Sequence, residues 1–160
     1  MNVAFFLLPK NGVIYLKNNS TMRQALERMK YHHYSAIPII DDDGKYVGTL
    51  TEDDLLCKMK TTPGLTFMNT RKIHLSEIER LTQNTPVFVD AQMESLITRA
   101  AIQNFVPVID DSGIFIGIVR RSELIRYAHD HLDAPTTALS SPIYYFGFSY
   151  GHIKDDHFHC

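Results

Sequence analysis

In the first third of the chain, segments whose apolar positions have strand-like spacing are separated by segments whose apolar positions have helical spacing. After a short β-type run at 13–16, a helix capped by Ser20 or Thr21 is predicted, and segments 35–40 and 45–50 are then strand-like. The polar turn between them ends at Gly44, which predicts an antiparallel hairpin, and Thr51 then caps a second helix. The predicted apolar face of the first helix has the spacing i, i+3, i+4, i+7 and comprises Met22, Ala25, Leu26 and Met29.

The same pattern occurs a second time. Residues 37–56 align without a gap with residues 106–125 at a constant offset of 69, with seven identical positions and seven conservative exchanges. The second copy has an entry strand at 86–89, hairpin strands at 106–109 and 114–119, and a final helix opening at Ser122. An internal repeat indicates one structural unit used twice. Its helical face is predicted to comprise Met93, Leu96, Ile97, Ala100 and Ala101.

Each copy has the predicted order β-α-β-β-α. A unit of roughly 60 residues buries too little surface to be stable alone. The sequence therefore predicts an α/β (α+β) fold in which the two repeats pack sheet to sheet with pseudo-twofold symmetry. The expected organisation is a first repeat at 1–60, a linker at 61–85 with a short helix at 75–80, a second repeat at 86–130 and a tail at 131–160.

Composition narrows the function classes. The 160 residues carry a net charge of −2, with 16 basic and 18 acidic side chains, so no basic field predicts a nucleic-acid partner. No stretch reaches the roughly 20 apolar residues of a membrane span, and the apolar start is too short for a signal peptide. Cys57 and Cys160 are expected to be separate, reduced thiols in a cytoplasmic protein.

Three sequence pieces resemble a known family. They are Ala-Ile-Pro-Ile-Ile-Asp at 36–41, the Asp-x-Gly turn, and Gly-Thr-Leu-Thr-Glu-Asp-Asp-Leu at 48–55, with counterparts at 106–110 and 117–124. Over about residues 1–128 the chain resembles a tandem pair of CBS (cystathionine-β-synthase-type) domains, a stand-alone Bateman-type module. The resemblance implies a non-catalytic regulator that senses adenine nucleotides between its halves. It also implies a disc-like homodimer that signals to a separate, unknown protein and requires no cofactor.

The first repeat contains candidate ligand contacts. Thr51 and Asp54 are spaced i, i+3 at a helix start, so they point the same way, and we expect Asp54 to be exposed in the cleft. A carboxylate suits the two ribose hydroxyls, and a helix start suits a phosphate. Alternatively, Thr51 only caps the helix and Asp54 supports its dipole. The resemblance implies that the base is held by Ser35, Ala36, Ile37 and Pro38.

The second repeat departs from this pattern, since Arg120 replaces the threonine and Glu123 the aspartate. The cleft of the second repeat is therefore expected to be closed or altered, or to contribute side chains to the ligand site of the first repeat. Arg120 and Arg121 are a candidate phosphate clamp for a ligand held by Thr51 and Asp54. Among the ligands that the resemblance implies, this clamp favours the phosphate-bearing AMP, ADP, ATP and cyclic di-AMP over S-adenosylmethionine. Alternatively, one arginine is solvated and the other pairs with an acidic neighbour. The remaining predicted contacts are Val106 and Pro107.

Other candidates are weaker. His32-His33, the acidic turn at 41–43 and the tail residues 152–160 contain metal-ligand types without a metal-site pattern, and no metal is predicted. The aromatic segment 144–148 is a candidate docking patch or a segment packed on its own module. No nucleophile–base pair or phosphate loop is found, so an enzyme is disfavoured. The alternative to nucleotide sensing is a ligand-free protein-interaction or dimerisation module.

Overall fold

A computed structural model describes residues 2–132 and residue 160. The tail candidates at 144–148 and 152–159 lie outside these residues. Four 3-10 segments occur at Val3–Phe6, Lys10–Gly12, Phe67–Lys72 and Leu75–Glu77. The strands are β1 (Leu8–Pro9), β2 (Leu16–Lys17), β3 (Ala36–Ile40), β4 (Tyr46–Thr51), β5 (Val87–Phe88), β6 (Phe105–Ile109) and β7 (Phe115–Arg120). The helices are α1 (Met22–His32), α2 (Glu52–Thr61), α3 (Met93–Ala100) and α4 (Arg121–Leu132).

The strands form one sheet in each repeat, which confirms the predicted fold class. The first sheet has the order β2-β3-β4, with β2 parallel and β4 antiparallel to β3. The second has the order β1-β7-β6-β5, with the same β5-β6-β7 pairings and β1 added at its edge. Since β1 precedes β2 of the first sheet in sequence, the N-terminal segment crosses over to the second sheet.

The hairpin turns display the pseudo-twofold symmetry directly. The Tyr46 amide donates to the Gly113 carbonyl at 3.3 Å, and the Phe115 amide donates to the Gly44 carbonyl at 2.9 Å. These bonds are equivalent under the offset of 69. Both turn glycines have left-handed φ values, 83° and 82°, which glycine adopts without a side-chain clash. The two hairpins therefore meet turn to turn across the symmetry axis.

Buried side chains form one apolar cluster in each repeat and a third between them. The third cluster contains Ile40 of the first sheet beside Phe105, Phe115 and Ile118 of the second. Its existence shows that the two halves share a core, as units of this size require. The first-repeat cluster comprises Leu16, Met22, Ala25, Met29, Ile37, Ile39, Leu50, Leu55, Leu75 and Ile78. The second comprises Val3, Val87, Leu96, Ala100, Val106, Val108 and Val119.

Three local predictions are wrong. The predicted helix at 75–80 is a single 3-10 turn, and two members of the predicted apolar face of the second repeat, Ile97 on α3 and Ala101 just after it, are exposed. Cys57 and Cys160 are not separate thiols, because the structure joins them in a disulfide with Cα atoms 5.3 Å apart. A sequence separation of 103 residues gave no sign of this proximity. The cysteines therefore no longer support a cytoplasmic location. Separately, no helix within residues 2–132 has the length and apolar character needed to cross a membrane.

Candidate functional site

A cleft of about 380 Å³ lies between the two repeats. The first repeat contributes the residues that lead into β3, and the second contributes the junction between β7 and α4. The segment before β2 forms part of the wall. The lining includes His33, Tyr34, Ser35, Ala36 and Pro38 from the first repeat, Asn104, Phe105, Arg120, Arg121 and Ser122 from the second, and Ile14 from the N-terminal segment.

The residues that follow α1 form the side of the cleft that belongs to the first repeat. His33 adopts the left-handed conformation, with φ 56°, and its amide closes the helix on the Met29 carbonyl. The chain then reverses through Tyr34, whose ring stacks on His32 with centroids 5.4 Å apart and whose side chain is 45% exposed. Ser35 and Ala36 follow at the start of β3. An aromatic face and two small side chains are thus placed together at the cleft.

Two arginines of the second repeat line the cleft. Arg120 ends β7 and Arg121 begins α4, so both lie where the strand turns into the helix. The Arg121 amide donates to the Asn104 carbonyl at 3.0 Å, and its Nη2 donates to Asn104 Oδ1 at 2.5 Å. An equivalent bond joins the Glu52 amide to the Ser35 carbonyl in the first repeat. The repeat geometry therefore fixes Arg121 beside Asn104, the counterpart of Ser35.

Glu123 lies beside this cleft and does not line it. Its Oε1 accepts a bond from Arg120 Nη2 at 3.0 Å, and its Oε2 pairs with Arg126. The carboxylate faces an adjacent groove with Phe6 and Tyr127. Arg120 thus pairs with an acidic neighbour, which was one of the alternatives for the arginines, while it also lines the cleft. No Asp or Glu is found among the described residues that form the cleft wall.

Asp54 is a structural residue in this fold. It is 1% exposed, its Oδ2 accepts the Thr51 amide at 2.8 Å, and its Oδ1 accepts the Leu81 amide at 2.8 Å. The Thr51 hydroxyl reciprocates by accepting the Asp54 amide at 3.2 Å. The expectation that Asp54 is exposed in the cleft is therefore wrong. The reason is the path of the linker, which passes over the start of α2 and supplies the Leu81 donor.

The linker and β4 line a second groove of about 440 Å³. Arg80 lies against Gly48, where the second sheet has Leu8 against Gly117. The Tyr46 hydroxyl donates to the Asn84 carbonyl at 2.8 Å and bonds the Thr49 hydroxyl at 2.8 Å, and burial raises the pKa of Tyr46 to about 12. The buried Gln103 side chain accepts the Thr85 amide at 3.1 Å. The linker and the side chains of β4 thus bond to each other along this second groove.

Apart from Glu123, the predicted contacts separate into three groups. Ser35, Ala36 and Pro38 meet Arg120 and Arg121 at the open cleft. Thr51 and Asp54 do not line it, so the structure does not bring that pair and the two arginines together at one cleft. The last group is buried away from the cleft wall; these residues are Ile37, Val106 and Pro107.

The strand period explains Ile37 and its counterpart Val106, and the repeat identifies residues that were missed. Alternate residues of a strand face opposite sides, so Ala36 and Pro38 reach the cleft while Ile37 packs under the helices. Asn104 is the counterpart of Ser35 at the offset of 69, and this signal was available in the sequence. Tyr34 and His33 had no comparable signal.

Family comparison agrees with this architecture. The family model described as the CBS domain matches residues 8–60 and 81–130, which together make up more than half of the chain. The chain belongs to the CBS-domain family. The CBS pair is 25% identical over 134 residues to a CBS domain-containing protein of Dictyostelium discoideum, covering 78% of this chain and 90% of that protein.

Other relatives differ in length. The CBS pair is 29% identical over 129 residues to an uncharacterized protein of Methanocaldococcus jannaschii, covering 74% of this chain but only 30% of that protein. Among solved structures, CbpB in complex with c-di-AMP aligns with a TM-score of 0.73 and 20% identity, covering 82% of this chain and 87% of that one. CBSX2 in complex with AMP aligns with a TM-score of 0.64 and 22% identity, covering 82% and 98%. At these identities the likeness establishes the fold.

Proposed function

We propose that this CBS pair is a non-catalytic regulatory module that binds an adenine nucleotide in the cleft between its repeats. The observation that carries the proposal is the meeting of Arg120 and Arg121 from one repeat with Ser35 and Ala36 from the other. Guanidinium groups bind phosphate oxygens through paired, charge-assisted hydrogen bonds. A wall without carboxylates places no repulsive charge against a phosphate. The volume falls in the range of roughly 300–1,000 Å³ that is usual for small-molecule sites.

The first repeat offers a surface for a flat base. Tyr34 presents an aromatic ring, and Ala36, Pro38, Ile14 and Phe105 add apolar walls. Backbone groups near Ser35 and Asn104 lie at the same cleft and can distinguish the edges of a base. The solved complexes of CbpB with c-di-AMP and of CBSX2 with AMP support an adenine-containing ligand.

The stoichiometry follows from the asymmetry of the two grooves. The cleft at Arg120 and Arg121 offers two arginines and no described carboxylate, whereas the second groove offers Arg80 beside Glu79. We therefore expect one nucleotide per chain. A ligand in the open cleft contacts both repeats, so its binding favours the arrangement of the repeats to which it has the higher affinity. A separate partner protein would read that difference.

Isothermal titration calorimetry with AMP, ADP, ATP and cyclic di-AMP tests the proposal. We expect saturable binding of at least one of them with one site per chain, and a loss of at least tenfold in affinity for Arg121→Ala. Removing a hydrogen bond to a charged group costs about 1.5–3 kcal/mol, which corresponds to tenfold or more. Arg71→Ala is the matched control, because Arg71 is an exposed arginine that does not line the cleft.

Two outcomes would reject this function. One is the absence of binding with every nucleotide in the panel. The other is an equal effect of Arg121→Ala and Arg71→Ala, which would show that the cleft arginines do not hold the ligand. Multiple turnover of a nucleotide, followed by chromatography, would instead indicate an enzyme.

A second copy of this chain is the proposed occupant of an apolar groove between α1 and α2. The groove contains Leu26, Met29, Leu55, Leu56, Met59 and Phe67. Its rim carries both charge signs, with Lys30 beside Glu27, Glu52 and Asp53. A surface with both signs can complement itself across a twofold axis, as an isologous dimer requires. This groove also favours the alternative function, a dimerisation module, if no nucleotide binds.

A further inference from the structure

We propose that the open cleft recognises the phosphates and the base of its nucleotide without reading the 2′,3′-diol of the ribose. The ligand class is then wider than ribonucleoside phosphates and includes 2′-deoxynucleotides and nucleotides whose 3′ oxygen is esterified. This inference rests on the proposed function and specifies which part of the ligand the site selects.

Strong recognition of a ribose diol requires an acceptor that can bond two adjacent hydroxyls. A carboxylate is suited to this because it accepts at both oxygens and gives charge-assisted hydrogen bonds. The repeat pattern puts one carboxylate at the start of each second helix, Asp54 in α2 and Glu123 in α4. The state of these two groups therefore decides whether a diol can be read.

Asp54 is unavailable because it is buried and each of its oxygens already holds a backbone amide. They accept the amides of Thr51 and Leu81, each at 2.8 Å, and the residue is 1% exposed. A hydroxyl could reach this carboxylate only if the linker moved away from α2. That displacement would leave the Leu81 amide without its acceptor, which is unfavourable for a buried donor.

Glu123 is engaged from both sides. Arg120 donates to Oε1 and Arg126 donates to Oε2, and the carboxylate lies in the groove beside the cleft. A neutral hydroxyl competes poorly with two guanidinium donors, because hydrogen bonds between two charged groups are the stronger ones. Glu123 instead orients Arg120, which lines the cleft. The acid therefore acts on the phosphate side of recognition.

The remaining polar wall is neutral or cationic. The described lining contains two arginines, the His33 imidazole, hydroxyl groups at Tyr34, Ser35 and Ser122, and the Asn104 amide, whose oxygen already accepts Arg121. Neutral partners discriminate weakly for or against one hydroxyl. An esterified 3′ oxygen adds a phosphate that the guanidinium groups can attract. Selection in this cleft thus depends on phosphate charge.

Calorimetric titration of the full chain with ADP, 2′-deoxy-ADP and 3′-deoxy-ADP tests the inference. We expect the two deoxynucleotides to bind within tenfold of ADP. The same ratios are measured for Glu123→Gln, where they should stay unchanged even if all three affinities shift together through Arg120. A hydrogen bond to a charged group corresponds to roughly tenfold or more in Kd, so this threshold separates the two accounts.

The outcomes also separate this inference from the proposed function. The inference is overturned, and nucleotide binding is left intact, if a deoxynucleotide binds at least tenfold more weakly than ADP. This holds whether or not Glu123→Gln reduces the difference. Failure of these three ligands and of every other nucleotide in the panel to bind rejects both. Comparable binding of all three supports both.

Discussion

Replacing Asp54 with alanine tests whether the acid of the first repeat serves the fold or the ligand. The side chain is 1% exposed and holds two backbone amides, those of Thr51 and Leu81. The first bond completes the reciprocal cap at the start of α2. The second fastens the linker across that helix. Alanine removes both acceptors and leaves both amides in place.

The expected cost follows from those two amides. A buried or partly buried donor without a partner costs about 1–3 kcal/mol. Both bonds are partly buried, so we expect Asp54→Ala to lower the free energy of unfolding by about 2–4 kcal/mol in total. This is a large fraction of the roughly 5–15 kcal/mol that stabilises a typical domain.

Urea denaturation at neutral pH measures this loss, with Asp53→Ala as the matched control. Asp53 is an exposed acid in the same helical turn, so its removal deletes the same charge without touching the two amides. Loss of its interaction with the helix dipole costs about 0.3–1 kcal/mol. The excess cost of Asp54→Ala over Asp53→Ala therefore reports the buried hydrogen bonds.

Ligand binding provides the opposite readout. Under conditions where Asp54→Ala is folded, we expect its affinity for ADP to stay within about threefold of the unmodified chain, because other residues form the open cleft. The reasoning is refuted if the two alanine variants are equally stable and only Asp54→Ala loses nucleotide binding. That result would place the carboxylate on the ligand.

Three further changes test other parts of the structure. Burial raises the pKa of Tyr46 from 10 to about 12, so the unfolded chain loses this proton first and stability falls as the pH rises through this window. The unmodified chain should lose on the order of 1 kcal/mol of its free energy of unfolding between a pH below 10 and pH 11, and Tyr46→Phe should remove this loss. Urea titration at both pH values measures it; an identical pH dependence in both proteins would contradict this. Gly117→Ala should lower the melting temperature more than Gly48→Ala, because the new Cβ meets the Leu8 carbonyl oxygen at 2.2 Å in one case and the flexible Arg80 side chain in the other. Equal losses would argue against the close approach of β1 to β7. Leu56→Glu should convert a dimer to a monomer in analytical ultracentrifugation while circular dichroism stays unchanged, because Leu56 is 59% exposed in the apolar groove; an unchanged mass would exclude this face as the interface.

The features predictable from the sequence are those with local causes. The constant offset of 69 and the paired turn glycines predict the two hairpins, and their backbone bonds across the axis match that symmetry. Thr51 was also a predictable cap because its spacing to Asp54 is itself a capping pattern. Strand alternation would have separated Ala36 and Pro38 from Ile37 had it been applied to the site residues.

The features that escaped prediction depend on the path of the chain in three dimensions. Leu81 is 27 residues from Asp54, and nothing in the linker's composition signals that its amide reaches that carboxylate. The crossing of β1 to the second sheet brings Leu8 to Gly117 and helps to form the open cleft. The assignment of Arg120 and Arg121 to the same cleft as Ser35 likewise depends on how the repeats pack.

A crystal structure of the full chain grown with ADP tests the central claim most directly. The account predicts the adenine beside Tyr34 and Ala36, with phosphate oxygens within hydrogen-bonding distance of Arg120 or Arg121. It also predicts that Asp54 keeps its bonds to Thr51 and Leu81. A nucleotide bound to the Asp54 carboxylate, with the linker displaced and the arginine cleft empty, would contradict it.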